Sequence, residues 1–217
     1  MDNSHFTTEE QAKMSDYLLD ESLLSPGVIY RLLSGAVCPR PIAWVSTQDK
    51  HGNANLAPFS FFNVASVNPP VLAFSPLLNG SGELKDTVRN LNEVAECVVH
   101  VGSEALIEAL NTTSASLPPG EDEFTLAGLE KADMPGVSVP RIANAPVAFG
   151  CKLYDMIRFG DQPLAGTLVL AQVVSIHIDD TLWDGRHIDM DKLKPVGRLA
   201  GSDYIRISDR FAIERPD

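Results

Sequence analysis

From Pro41 onward the chain is cut into short apolar runs, each closed by a turn signal, and this rhythm limits the fold more than any other feature. Pro41–Thr47, with Ile42, Trp44 and Val45, is the first run. Asp49-Lys50-His51-Gly52-Asn53 reads as a hairpin connection, and Asn53–Phe62 as the returning strand. Asn68-Pro69-Pro70 then breaks the chain before a strand at Val71–Ser75. Ala95–Val101, Val147–Tyr154, the long and almost continuously apolar Thr167–Ile178, and a short Asp203–Ser208 follow. Two helices interrupt the series. Glu83–Glu93 carries Leu84, Val88 and Leu91 at helical spacing with Asp86 as the expected N-cap, and Ser103 is expected to cap Ser103–Leu110. The expected class is mainly β with inserted helices. A closed antiparallel barrel is the natural way for so many short strands to hide their edges.

Residues 111–146 are turn-rich, with prolines at 118, 119, 135, 140 and 146. A connection of that length is usually functional or packed on a partner. Residues 1–24 hold six acids against the single base Lys13, an acidic arm with a helix start at Thr8. The remainder, 25–217, reads as one domain.

Charge narrows the partners. Seventeen basic against 29 acidic residues give a formal net charge of −12. Such a surface repels a phosphate backbone and anionic lipid, so neither nucleic acid nor membrane is expected as a partner. Three cysteines without a CxxC make neither a disulfide framework nor a zinc site. No signal peptide and no run long enough to span a membrane is seen, so the expected location is cytoplasmic, with no metal.

Three segments carry chemistry. In the first, Asn55-Leu56-Ala57-Pro58-Phe59-Ser60-Phe61-Phe62, Pro58 inside a strand pattern removes a ladder donor and calls for an edge or a bulge. Backbone groups freed there, with the Ser60 hydroxyl and the Asn55 amide, can bond the polar edge of a flat ring. The same residues also read as a bulged hairpin whose Asn and Ser serve turn backbone, the commoner use of these types. In the second, Lys85-Asp86-Thr87 opens a helix where N–H groups and the dipole attract phosphate; a capped surface helix is the plainer alternative. In the third, Gly197-Arg198-Leu199-Ala200-Gly201-Ser202-Asp203-Tyr204, small residues permit close approach and Arg198 can reach an anion, or the stretch is a loop before the last strand. No GxGxxG follows a strand, and no histidine or cysteine is assigned a catalytic role.

Taken together, PRPIAWVST, NLAPFSFFN, the KDT helix start and GRLAGSDY resemble the flavin reductase-like, FMN-binding split-barrel proteins, including their flavoredoxin-like members. Asp122-Glu123-Phe124 and Cys151-Lys152-Leu153 extend the resemblance, which runs from about Tyr30 to Ile207. It implies a six-stranded Greek-key antiparallel barrel and a homodimer with FMN near the subunit seam. It implies ring contacts along Asn55, Leu56, Ala57, Pro58, Ser60, Phe61 and Phe62, phosphate contacts at Lys85, Asp86 and Thr87, and Thr47 nearby. The last loop departs from the family by carrying Ala200 where a glycine is usual. The implied activity is an NAD(P)H-dependent flavin reductase, serving a flavin-using monooxygenase or an electron-transfer protein. The competing reading is a flavoredoxin-like electron carrier without a nicotinamide site.

Overall fold

A proline one residue beyond an extended Ser25 starts the first helix, α1 (Pro26–Ala36), in the computed structural model, which describes residues 25–115, 117 and 121–216. The strands β1 (Ala43–Gln48), β2 (Ala54–Phe59), β3 (Phe62–Val67) and β4 (Pro70–Phe74) follow, then α2 (Asp86–Val94) and β5 (Glu96–Val101). A 3₁₀ turn at Glu104–Leu106 runs into α3 (Ile107–Thr112), and α4 (Glu123–Leu126) is a single turn. Next come the short pair β6 (Lys131–Ala132) and β7 (Arg141–Ile142), then the long hairpin β8 (Val147–Arg158) and β9 (Thr167–Ile178). The chain closes with α5 (Met190–Leu193), β10 (Val196–Arg198) and β11 (Tyr204–Arg206).

Seven strands pair in the main sheet, in the order β2-β1-β5-β8-β9-β4-β3, where the resemblance implies six. Each neighbouring pair is antiparallel. The sheet curls on itself, because side chains from both of its ends meet in one apolar cluster. Phe59 of β2 and Phe62 of β3 pack on Ala43, Val45, Phe74, Val99, Cys151, Val169 and Ala171, and the rings of Phe59 and Phe74 stack at 5.7 Å. Alternation along each strand puts these residues on one face, the barrel interior. Leu91 of α2 plugs the same cluster, and burying such a side chain contributes about 1.5–3 kcal/mol. On the outer face of β1 and β2 a second core joins Trp44, Leu56, Leu110, Phe124 and Ile142.

Several expectations change. α1 has no counterpart in the strand-and-turn reading. The expected single strand Asn53–Phe62 is two strands, because the chain turns at Ser60 and Phe61 and leaves β2 and β3 at opposite ends of the sheet order. α2 begins three residues inside the expected Glu83–Glu93, and Lys85, not Asp86, is its N-cap, without a side-chain bond; Asp86 is its first helical residue. Ser103 precedes a 3₁₀ turn but does not cap it, and its buried hydroxyl has no partner among the described residues. The last strand is shorter than Asp203–Ser208. The acidic arm at 1–24, its helix start and residues 118–120 lie outside the described residues.

Candidate functional site

Pro58 is the meeting point of three recesses. One, of about 280 Å³, is lined by Asn55, Ala57, Lys85, Asp86, Thr87 and Glu123. A second, of about 190 Å³, holds Ser60, Asn111, Arg198 and Tyr204. The third, of about 480 Å³, holds Ser60, Phe61, Asn79 and Lys85. They form one groove wrapped around the free edge of β2. Pro58 stands opposite Trp44 on the one neighbour β2 has, so its missing N–H costs no ladder bond on the open side.

Behind this groove runs a chain of buried polar side chains. Glu123, at the start of α4 and 6 % exposed, accepts from Asn55 Nδ2 at 2.8 Å and from the Leu56 N–H at 3.0 Å. Asn55 Oδ1 accepts from the Thr87 hydroxyl at 2.9 Å and from the Thr47 hydroxyl at 3.4 Å. Thr47 in turn accepts from Asn90 Nδ2 at 3.1 Å. Strands β1 and β2, helix α2 and the turn α4 are thereby tied at one point. Burial pushes the Glu123 carboxyl above the usual range, against the bonds from Leu56 and Asn55, and the charge of Asp86 adds to the rise.

The start of α2 faces the same recess. The first intrahelical bonds there run from the N–H groups of Val88 and Arg89 to Lys85 O. The N–H groups of Asp86 and Thr87 precede them and have no acceptor within the helix, as at any helix N-terminus. Lys85 borders two of the recesses, while Asp86 is held by an ion pair with Arg89.

At the other end of the groove, Arg40 organises the turn. Its Nε donates to Ser60 Oγ at 3.2 Å, and its remaining nitrogens donate to the carbonyls of Ser34, Val37 and Leu199. The guanidinium also lies 5.9 Å from the Phe61 ring centre. Backbone bonds between Arg40 and Arg198 bring in β10, where Gly197 permits a close approach: a Cβ there would sit 3.1 Å from both Pro39 and Ile205. Arg198 stacks on Tyr204 at 4.5 Å.

The residues expected from sequence therefore fall into two groups. Asn55, Ala57, Pro58, Ser60, Phe61, Lys85, Asp86, Thr87 and Arg198 line the groove. Thr47 and Leu56 are fully buried behind it, and Phe62 packs into the barrel. Arg198 belongs to the end opposite α2, not to the Lys85 cluster. Glu123 and Arg40 are not among the residues the sequence marks for the site. Both act across long sequence separations, 67 residues from Glu123 to Leu56 and 20 from Arg40 to Ser60, and their family motifs were the only signal available. Beside Phe61 a wider apolar recess, of about 700 Å³, opens between α1 and the β8–β9 tip, lined by Ile29, Tyr30, Leu33, Leu77 and Leu164. Among the described residues no cluster of three or more His, Cys, Asp or Glu is placed to hold a metal, and no helix is long and apolar enough to cross a membrane.

Comparison with known proteins matches residues 34–189 to the flavin reductase like domain. An uncharacterized Bacillus subtilis protein, YwrF, is 44 % identical over 204 residues, covering 92 % of this chain and 99 % of its own. The structure of nitrilotriacetate monooxygenase component B from Bacillus cereus is similar at 35 % identity and a TM-score of 0.86, covering 93 % of this chain and all of that one. That of Pseudomonas fluorescens 2-nitrobenzoate 2-nitroreductase NbaA is similar at 30 % identity and a TM-score of 0.81, covering 92 % and 96 %.

Proposed function

Because the chain belongs to the flavin reductase-like domain family, with a mainly β split-barrel fold, we propose that it is an FMN-dependent oxidoreductase that takes hydride from NADH or NADPH. One observation carries this reading: the groove joins β2 and its following turn, Asn55–Phe61, to a lysine and to a helix start whose first N–H groups have no acceptor within the helix. Those are the two chemistries a flavin mononucleotide needs, a polar ring edge and a phosphate site. FMN, when bound, supplies the hydride-accepting ring, so the protein need provide no acid, base or metal.

In this reading Lys85 and the N–H groups of Asp86 and Thr87 hold the phosphate. Ala57, Pro58 and Phe61 bound the ring. Ser60 keeps its own O–H for the ring edge, because Arg40 fills its acceptor side. Asn55, Leu56 and Thr47 act from behind, since their polar groups are spent on Glu123 and on one another. The apolar recess beside Phe61 offers a hydride donor's ring a place to stack. Residues 25–217 form the flavin domain, and the cytoplasm is the working location, in keeping with exposed Cys38 as a free thiol.

We further propose a homodimer, supported by apolar side chains left open on β3 and β9: Val67 is 84 % and Ile176 63 % exposed. By analogy with the monooxygenase component it resembles, the protein passes reduced flavin or electrons to a monooxygenase. The test is direct. Purified protein titrated with FMN should bind about one flavin per chain and be bleached by NADH or NADPH without air. Bleaching by dithionite alone would favour the electron-carrier reading, and protein that carries no absorbance above 400 nm after loading with FMN and removal of the unbound flavin would end both.

A further inference from the structure

A carboxylate can only accept hydrogen bonds, and that single fact fixes the direction of every proton in the chain behind the groove. We infer that Glu123 is a positioning residue that turns the Thr87 hydroxyl away from the groove, so that the phosphate is held by backbone N–H groups and Lys85 and not by the Thr87 side chain. The inference rests on the reading that an FMN phosphate binds at the start of α2.

The logic is one of polarity. Glu123 Oε2 takes the Leu56 N–H at 3.0 Å, and Oε1 faces the Asn55 amide at 2.8 Å. Asn55 must present its NH₂ there, because two acceptors cannot bond, and an amide's orientation follows from its partners. Its oxygen then points to α2 and β1, where it takes the Thr87 hydroxyl at 2.9 Å and the Thr47 hydroxyl at 3.4 Å. Thr47 is free to donate because its lone pair already serves Asn90 Nδ2, at 3.1 Å. A hydroxyl has one proton, and that of Thr87 is committed to Asn55. What Thr87 turns toward the recess is a lone pair, which opposes a phosphate oxygen. A negative charge at Glu123 thus reaches the helix start as bond direction, relayed through one amide.

Neutralising Glu123 without changing its shape should reverse the relay. In Glu123→Gln the new amide keeps its oxygen on the Leu56 N–H and offers an NH₂ to Asn55. Asn55 flips, donates to Thr87, and releases the Thr87 proton toward the phosphate. Affinities of the full-length protein for FMN and for riboflavin, measured by titration, report this as a ratio, since riboflavin lacks the phosphate. Thr87→Val alone should leave the FMN-to-riboflavin affinity ratio within about twofold of the parent. Glu123→Gln should raise it about tenfold, the worth of one donor to a charged group. Thr87→Val in the Glu123→Gln background should remove that gain.

The last variant separates bond direction from simple loss of a nearby negative charge, because charge relief would persist without the hydroxyl. A lowered ratio in Thr87→Val alone overturns the inference, as does an unchanged ratio in Glu123→Gln or a gain that survives the double substitution. Lys85→Ala controls for the premise. If it leaves the ratio unchanged, the phosphate is not at α2 and both readings fall; if it lowers the ratio while Thr87→Val does so too, the inference alone fails.

Discussion

Lowering the pH from 7 to 5 is expected to remove about 2 kcal/mol of folding stability through His100. The ring is fully buried where β5 faces β1. Its Nδ1–H donates to the Trp44 carbonyl at 2.8 Å, and its Nε2 accepts the Ile142 N–H at 2.9 Å. A second proton would go on Nε2, against that N–H, inside an apolar core. Burial accordingly lowers the pKa from 6.5 to about 4, against the bond to Trp44, with Arg141 and His177 adding to the fall. Between those values the unfolded chain binds the proton and the native chain does not, so stability rises with pH across the window. The contribution is complete above pH 6.5 and lost as the pH falls to about 4, a total of about 3 kcal/mol. The assay is urea unfolding from pH 7 to pH 5, a range in which most carboxylates stay ionised, on the parent and on His100→Gln. Gln can still donate and accept but carries no titrating proton, so its stability should fall much less steeply than the parent's, the remaining slope including that of His177, whose pKa burial also lowers. Parallel lines for the two proteins would refute the reasoning, whatever their offset.

Lys85→Ala should weaken FMN by about 10- to 150-fold, the loss of a charge-assisted bond of about 1.5–3 kcal/mol, while riboflavin titrated in parallel barely changes. Equal losses for both flavins would mean a damaged fold instead. Light scattering of the flavin-loaded protein should give twice the 23.5 kDa chain mass, and the mass of one chain would reject the dimer. Trp44→Phe should cost about 1–3 kcal/mol in urea unfolding, because it empties volume in the outer core and removes the 2.8 Å bond from Nε1 to Thr113 Oγ1. No measurable change would show that the outer core repacks freely.

Legibility in the sequence followed the range of the forces involved. β9 begins and ends where its apolar run does, Thr167–Ile178, because period and composition are local properties. β8 runs four residues past the expected Tyr154, because its outer arm, Asp155 to Arg158, is held by pairing with β9 and not by its own apolar content. α1 is not legible although Ser25-Pro26 is a good start signal, since Gly27 and Gly35 dilute its propensity and its partners, Phe61 and Leu77, lie in the turn after β2 and the connection after β4. Asn55–Phe62 and the Lys85 helix start read as separate segments, and nothing local says that they meet. Their meeting, and the roles of Glu123 and Arg40 in it, depend on contacts tens of residues apart that no spacing rule encodes.

The two ends of the sheet order are consecutive in sequence, so the barrel is a band whose clasp is the Ser60–Phe61 turn and whose seam is closed by stacked rings, with no ladder between β2 and β3. The proposed ligand lies against that seam. Filling the groove would rivet the clasp: flavin bonded to β2 on one side and to the turn on the other supplies cross-links the backbone omits. Amide exchange should then slow on loading chiefly in β2, β3 and the turn, leaving the β8–β9 ladder as it was.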